Sequence, residues 1–200
     1  MASSATLATL TTRAQNLLED SGTSVFPSDT IQEGIRLALE EYNARATSIG
    51  RAQSVIGTVT PSASNKEVSL SGLTGLLDVQ KIWFPYTASA PEDPPNELRD
   101  WALHWDAGVP KLYLGDSALS PGGSDVARVF YTKPHTLNGL DSATSSTFPA
   151  VDDGLLVLGG AYYAALGMGV IEAGEAWVRI IELLLAQYRK RLSAIAAVEV

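Results

Sequence analysis

The groups in this 200-residue chain whose type and spacing could do chemistry are few. His104 and His135 are the only histidines, and an imidazole could ligate a metal or act as a base. A metal site needs further ligands at recognisable spacing, and neither histidine has them in sequence. Structural roles are therefore predicted for both. Glu92-Asp93 and Asp152-Asp153 are adjacent acids. Neighbours on a helix or strand do not face each other, so neither pair reads as an acid/base couple. The first suits a solvated loop and the second the start of a helix, where negative charge is favourable. Nucleophile-elbow, phosphate-loop and dinucleotide glycine patterns are all absent. The expectation is a non-enzyme without catalytic residues, metal or cofactor.

Two further sets could bind rather than react. Trp101 and Trp105 stand at alternating positions with Leu103, on one face of a predicted strand. They suit packing or a subunit interface; the alternative is a stacking platform in a ligand- or carbohydrate-binding module. Arg189-Lys190-Arg191 near a helix C-terminus complements the helix dipole or meets acids on a partner. The segment beyond it, with Ile195, Val198 and Val200, is small and apolar and would gain from a partner's cleft.

The elements that must position these groups come in three textures. Within residues 4–50, Leu7, Leu10, Ala14 and Leu17 form one helix face, and Ser21-Gly22 ends it. Ser28 or Thr30 then caps a second helix, whose buried face is Ile31, Ile35, Ala38, Leu39 and Tyr42. After Gly50 the period becomes two. Strands are predicted at 55–60, 67–70, 77–84, 101–106, 111–114 and 126–132, with 61–65 as the turn between the first two and loops at 90–95 and 115–124. Short links make them mostly antiparallel. A polar return follows, and Pro149 opens a third helix. Gly159, Gly160 and Ala164 leave that helix without bulk, so another backbone can approach, read here as a subunit interface. Gly167, Gly169 and Gly174 mark its end. Trp177, Ile180, Ile181, Leu184, Tyr188, Leu192 and Ile195 stripe the fourth. The fold class is α+β: about four helices from both chain ends bundle together, with an antiparallel β-rich insertion. The expected divisions are 1–52, 53–148 and 149–200.

Composition narrows the partners. Net charge is -8, and no basic run exceeds the triplet, so tight binding of duplex DNA is not expected. Without cysteine there are no disulfides or thiolate sites. Charged residues make up only 18%, which suits a surface partly covered by other subunits. The uncharged stretch from Gly154 to Ile171 carries five glycines and acidic flanks, so it reads as a buried helix and no membrane contact is expected. The N-terminus lacks the basic and apolar regions of a signal peptide.

Three stretches resemble the head-to-tail adaptor, or connector, proteins of tailed bacteriophages. One is Leu17–Tyr42, with its VFPSD turn and IQEGIRLALEEYNA helix. Another is Val129–Pro149, VFYTKPHTLNGLDSATSSTFP. The third is the Gly/Ala-rich helix LLVLGGAYYAALGM. The long region from Gly50 to Gly123 departs from the family pattern. The resemblance implies a virion neck protein made in the bacterial host cytoplasm. It would repeat as a ring, twelve-fold in the family, bound to the portal protein and to a downstream neck or tail protein. DNA would pass through the ring without tight binding. It also implies a portal-docking C-terminal segment, here Arg189, Lys190, Arg191, Ile195, Val198 and Val200. Another neck or tail-completion role is the nearest alternative.

Overall fold

A computed structural model describes residues 1–20, 25–46, 52–61, 66–87, 96–115, 126–172 and 175–197, with backbone alone at 46, 168–172, 175–178 and 195–197. The architecture is α+β, in two units: Met1–Ala52 with His135–Val200, and Gln53–Pro134.

The first unit is helical. Helix α1 (Leu7–Leu17) starts at Thr6, whose hydroxyl accepts from the Thr9 amide at 3.3 Å. It buries Leu7, Leu10, Thr11 and Ala14, the three-four spacing of one face. It stops at Leu17, before the Ser21-Gly22 signal, and Glu19 takes a left-handed φ of 57°. The buried Asp20 carboxylate then accepts from the amides of Val25 (3.1 Å) and Phe26 (2.6 Å), fixing the turn into α2 (Ser28–Ala46). Ile31, Ile35, Ala38, Leu39 and Tyr42 are all buried, as their spacing predicts. Ile31, Ile35 and Leu39 each stabilise by about 1.5–3 kcal/mol relative to exposure.

A 3-10 turn (Ala150–Asp152) leads into α3 (Asp153–Glu172), which runs through Gly167 and Gly169 rather than ending there. Its Leu155, Leu156, Val157, Leu158, Ala161, Ala164 and Ala165 are buried nearly all round, because α1, α2 and α4 (Glu175–Ala197) all pack on it. Residues 135–148 belong to this unit and not to the insertion, so the expected boundary at 148 moves to 134. The reason lies in three apolar side chains of a polar-looking segment. Leu137, Leu140 and Phe148 are buried in the helical core. The segment also pairs with the N-terminus: the Ser3 amide donates to the Phe148 carbonyl at 2.9 Å, and the Leu7 amide to the Asn138 carbonyl at 2.8 Å.

The second unit has two antiparallel sheets. One has the order β1 (Gln53–Val59), β7 (Val126–Lys133), β3 (Asp78–Tyr86), β4 (Glu97–Leu98). The other has the order β2 (Glu67–Ser69), β6 (Val109–Leu114), β5 (Trp101–Asp106). Consecutive β1 and β2 thus lie in different sheets and are not a hairpin. The predicted strands are all present. β4 was not predicted, and β3 continues through Pro85 with a register irregularity between Trp83 and Tyr86. The predicted turn at 61–65 and loops at 90–95 and 115–124 fall largely outside the described residues. Val68, Leu112 and Leu114 of one sheet and Val79, Ile82, Phe84, Val129 and Tyr131 of the other share a single core.

Candidate functional site

The helical unit carries an open groove along the seam of α1 and α4. It follows from how α4 spends its apolar residues. Leu184, Tyr188 and Leu192, at i, i+4 and i+8, point into the core. Ile180 and Leu183 lie beside that stripe and remain 39% and 59% exposed, facing Leu17 of α1 at 43%. One hollow of about 270 Å³ is lined by Leu17, Leu18, Ile180, Leu183 and Leu184, with Glu19 and Gln187 at its rim. A second, of about 520 Å³, shares Leu17 and Gln187 and adds Val157, Leu158, Ala194, Arg13, Lys190 and Arg191. Together they form a slot with an apolar floor and a cationic end. Arg13 reaches Asp153 at 3.8 Å, and the Ser3 hydroxyl donates to the same carboxylate at 2.6 Å. The Arg191 guanidinium lies over Gly154, filling the space a Cβ there would need. Among the described residues Lys190 and Arg191 make no ion pair. Such a slot can bury apolar side chains and accept carboxylates, and it holds no constellation for bond breaking.

The basic triplet does not act as one patch. A helix turns 100° per residue, so Arg189 faces away from the groove. It borders a small polar hollow of about 160 Å³ with Glu41, Arg45, Tyr162, Tyr163 and Tyr188. There the Glu41 carboxylate accepts from Tyr188 at 2.8 Å, Tyr163 at 3.0 Å and Arg45 at 2.9 Å. Burial, with the Glu41 contact second, pushes the Tyr163 phenol up to about 12 and raises that of Tyr188 as well. These bonds tie α2, α3 and α4 together. Ile195 lies on α4 with backbone alone described, and Val198 and Val200 lie outside the described residues.

The remaining sequence candidates have other surroundings. Gly159, Gly160 and Ala164 are interior to the helical unit rather than on a free face. The close approach they permit is to α2 of the same chain: a Cβ on Gly34 would sit 2.6 Å from the Gly160 carbonyl oxygen. Trp101 is half-buried against the core of the two sheets, while Trp105, further along the same face, is 56% exposed, so the pair offers one free ring. His135 is buried, meets Tyr42 edge-on and lies 3.3 Å from the Thr147 hydroxyl. His104 pairs with Glu67 at 2.7 Å, and that hydrogen bond, with Lys111, holds the Glu67 carboxyl below its usual range. Asp152 is buried and accepts from the Tyr42 hydroxyl at 2.9 Å, while Asp153 meets Arg13 and Ser3; the adjacent acids are thus engaged separately. Glu92 and Asp93 lie outside the described residues. Among the described residues no group of three or more acids, histidines or cysteines could hold a metal, and no helix is long and apolar enough to cross a membrane.

Leu17 and Ile180 belong to the apolar stripes expected to pack, yet both are exposed, and Leu183 beside them went unread in the sequence. Its signal was present, since α4 carries more apolar positions than one core-facing stripe can bury.

The fold defines an α+β protein of two units. No family model matches the chain. No curated protein matches it. Among solved structures it is similar to a chain described as the neck of an empty GTA particle computed with C6 symmetry. The two share 13% identity and a TM-score of 0.33, over 82% of each chain. That likeness is too slight to carry a functional conclusion.

Proposed function

We propose that this chain is a structural neck protein of a tailed-phage-like virion, an adaptor subunit that joins the portal to the tail. It repeats as a ring, of twelve copies as the family resemblance implies, and contacts a downstream neck or tail protein. The observation that carries the reading is the α1–α4 groove. It is an apolar slot with Lys190 and Arg191 at one end. The adaptor-like stretches of sequence supply the identity of the partner. A net charge of -8 supports passage of DNA without tight binding, since a conduit must let the duplex slide.

Docking through the groove is tested by Leu183→Asp and by the pair Lys190→Glu with Arg191→Glu, all at exposed positions. Circular dichroism reports the fold and co-sedimentation with portal rings reports docking. Each variant keeps its helix signal and loses portal affinity by about tenfold or more, the first because an unpaired carboxylate would be buried among apolar groups and the second because like charges would meet across the interface. Undiminished docking by both folded variants would remove the groove as the portal contact.

A further inference from the structure

We propose that the outer face of the four-stranded sheet binds the α2 surface of a second copy of this chain, an inference that rests on the multi-copy reading above. The face is built by register. Phe130 lies opposite both Ile56 and Lys81, and Arg128 opposite both Thr58 and Trp83. The Trp83 and Phe130 rings meet edge to face with centroids 4.5 Å apart. Lys81 Nζ sits 4.5 Å from the Phe130 centroid and 5.2 Å from that of Trp83. The Arg128 guanidinium lies 4.9 Å from the Tyr86 ring and 5.3 Å from Trp83, and donates to the Tyr86 hydroxyl at 2.9 Å. Ile56 beside them is 47% exposed. In a chain with 22 acids and 14 bases, neither cation has a carboxylate partner among the described residues. Glu97, which register sets opposite Trp83, pairs with neither. The rings hold both cations in place, so little side-chain freedom is lost when an acid arrives.

The geometry favours an acidic protein surface over a nucleic acid strand. A stacked base needs a free ring face, and the chain's own cations already cover these rings. Two cations also make only a short phosphate track. The chain itself offers the complement. Asp29, Glu33, Leu37 and Glu40 follow at spacings of four, four and three along α2, all exposed, with Leu37 38% exposed in the middle. Glu33 bonds to Arg36 at 3.0 Å, while Glu40 makes no ion pair among the described residues. That acid–leucine–acid stripe matches a face of two cations around aromatic rings and an isoleucine. The cationic face cannot pair with itself, because like charges would meet. Two different faces meet, which allows a heterologous contact, the kind that closes into a ring when its rotation permits.

The test compares assembly on portal rings, read as mass, for the wild type, for Lys81→Glu with Arg128→Glu, for Glu33→Lys with Glu40→Lys, and for an equal mixture of the two variants. Each variant alone loads at about a tenth of the wild-type level or less. The mixture recovers most of the loading, because each reversed face then meets an oppositely reversed neighbour. The α2 variant lies on an exposed helix face and reads the contact even where the sheet variant fails to fold. Wild-type assembly unchanged by either reversal overturns this contact alone. So does a folded mixture that fails to recover, or loss of oligonucleotide binding by the sheet variant with assembly intact. A wild type that never loads removes the neck reading, and this contact with it.

Discussion

Replacing Gly34 by alanine should destabilise the helical unit although alanine is the better helix former. The gain in helix propensity is about 1 kcal/mol. Against it, the new Cβ would stand 2.6 Å from the Gly160 carbonyl oxygen and 3.2 Å from its Cα, backbone atoms that cannot rotate away. Relieving the overlap moves α2 from α3 by roughly half an ångström or more. A gap of that size forfeits about a quarter of each dispersion contact along the seam. Overpacking of this kind costs ~1–3 kcal/mol, leaving Gly34→Ala about 1 kcal/mol less stable than wild type. Gly167 supplies the control. It is exposed, lies within α3, and has nothing within 4 Å of where a Cβ would go, so Gly167→Ala keeps the propensity gain alone. The difference between the two variants isolates the overpacking, ~1–3 kcal/mol. With a urea slope of about 2 kcal/mol per molar, the midpoints of helix loss by circular dichroism separate by about 1 M. A Gly34→Ala protein as stable as Gly167→Ala would refute the close α2–α3 approach.

Other outcomes follow from the polar groups of the same unit. The raised phenols of Tyr163 and Tyr188 ionise later than the ordinary value of 10.0, Tyr163 at about 12. Their contribution to stability is fully present below pH 10.0 and falls as pH rises, because the unfolded phenols ionise first; that of Tyr163 is lost by about pH 12, and that of Tyr188 continues to fall beyond it. Ultraviolet phenolate titration beside urea midpoints checks this, and phenols that all titrate at their ordinary value would contradict it. Asp20→Ala strips two backbone amides of their acceptor and should cost about 1–3 kcal/mol, read as a lower urea midpoint. An unchanged midpoint would show that the turn holds without the carboxylate.

What the sequence disclosed depended on whether the signal was local. The α2 face was readable because five apolar residues keep helical spacing and all point one way. The long strands were readable from alternation, but their partners were not. β1 finds β7 more than sixty residues away, and nothing within 53–70 says that β2 belongs to another sheet. β4 has two residues and no period to detect. The return segment looked like solvated loop because its polar residues outnumber Leu137, Leu140 and Phe148. Gly159 and Gly160 announced a close approach without saying whose backbone would come, and α2 of the same chain takes the place. At the candidate groove, Lys190 and Arg191 were visible as charge. Their separation from Arg189, and their union with Arg13 and Leu17, needed the helices in position.

The adaptor reading is tested most directly by the mass of the species formed when the purified chain meets the portal ring of its own particle. The account predicts a discrete complex of one portal with many copies of this chain in a symmetric ring, and no such complex with an unrelated ring. A portal whose mass stays unchanged at saturating concentrations of the folded chain would contradict it.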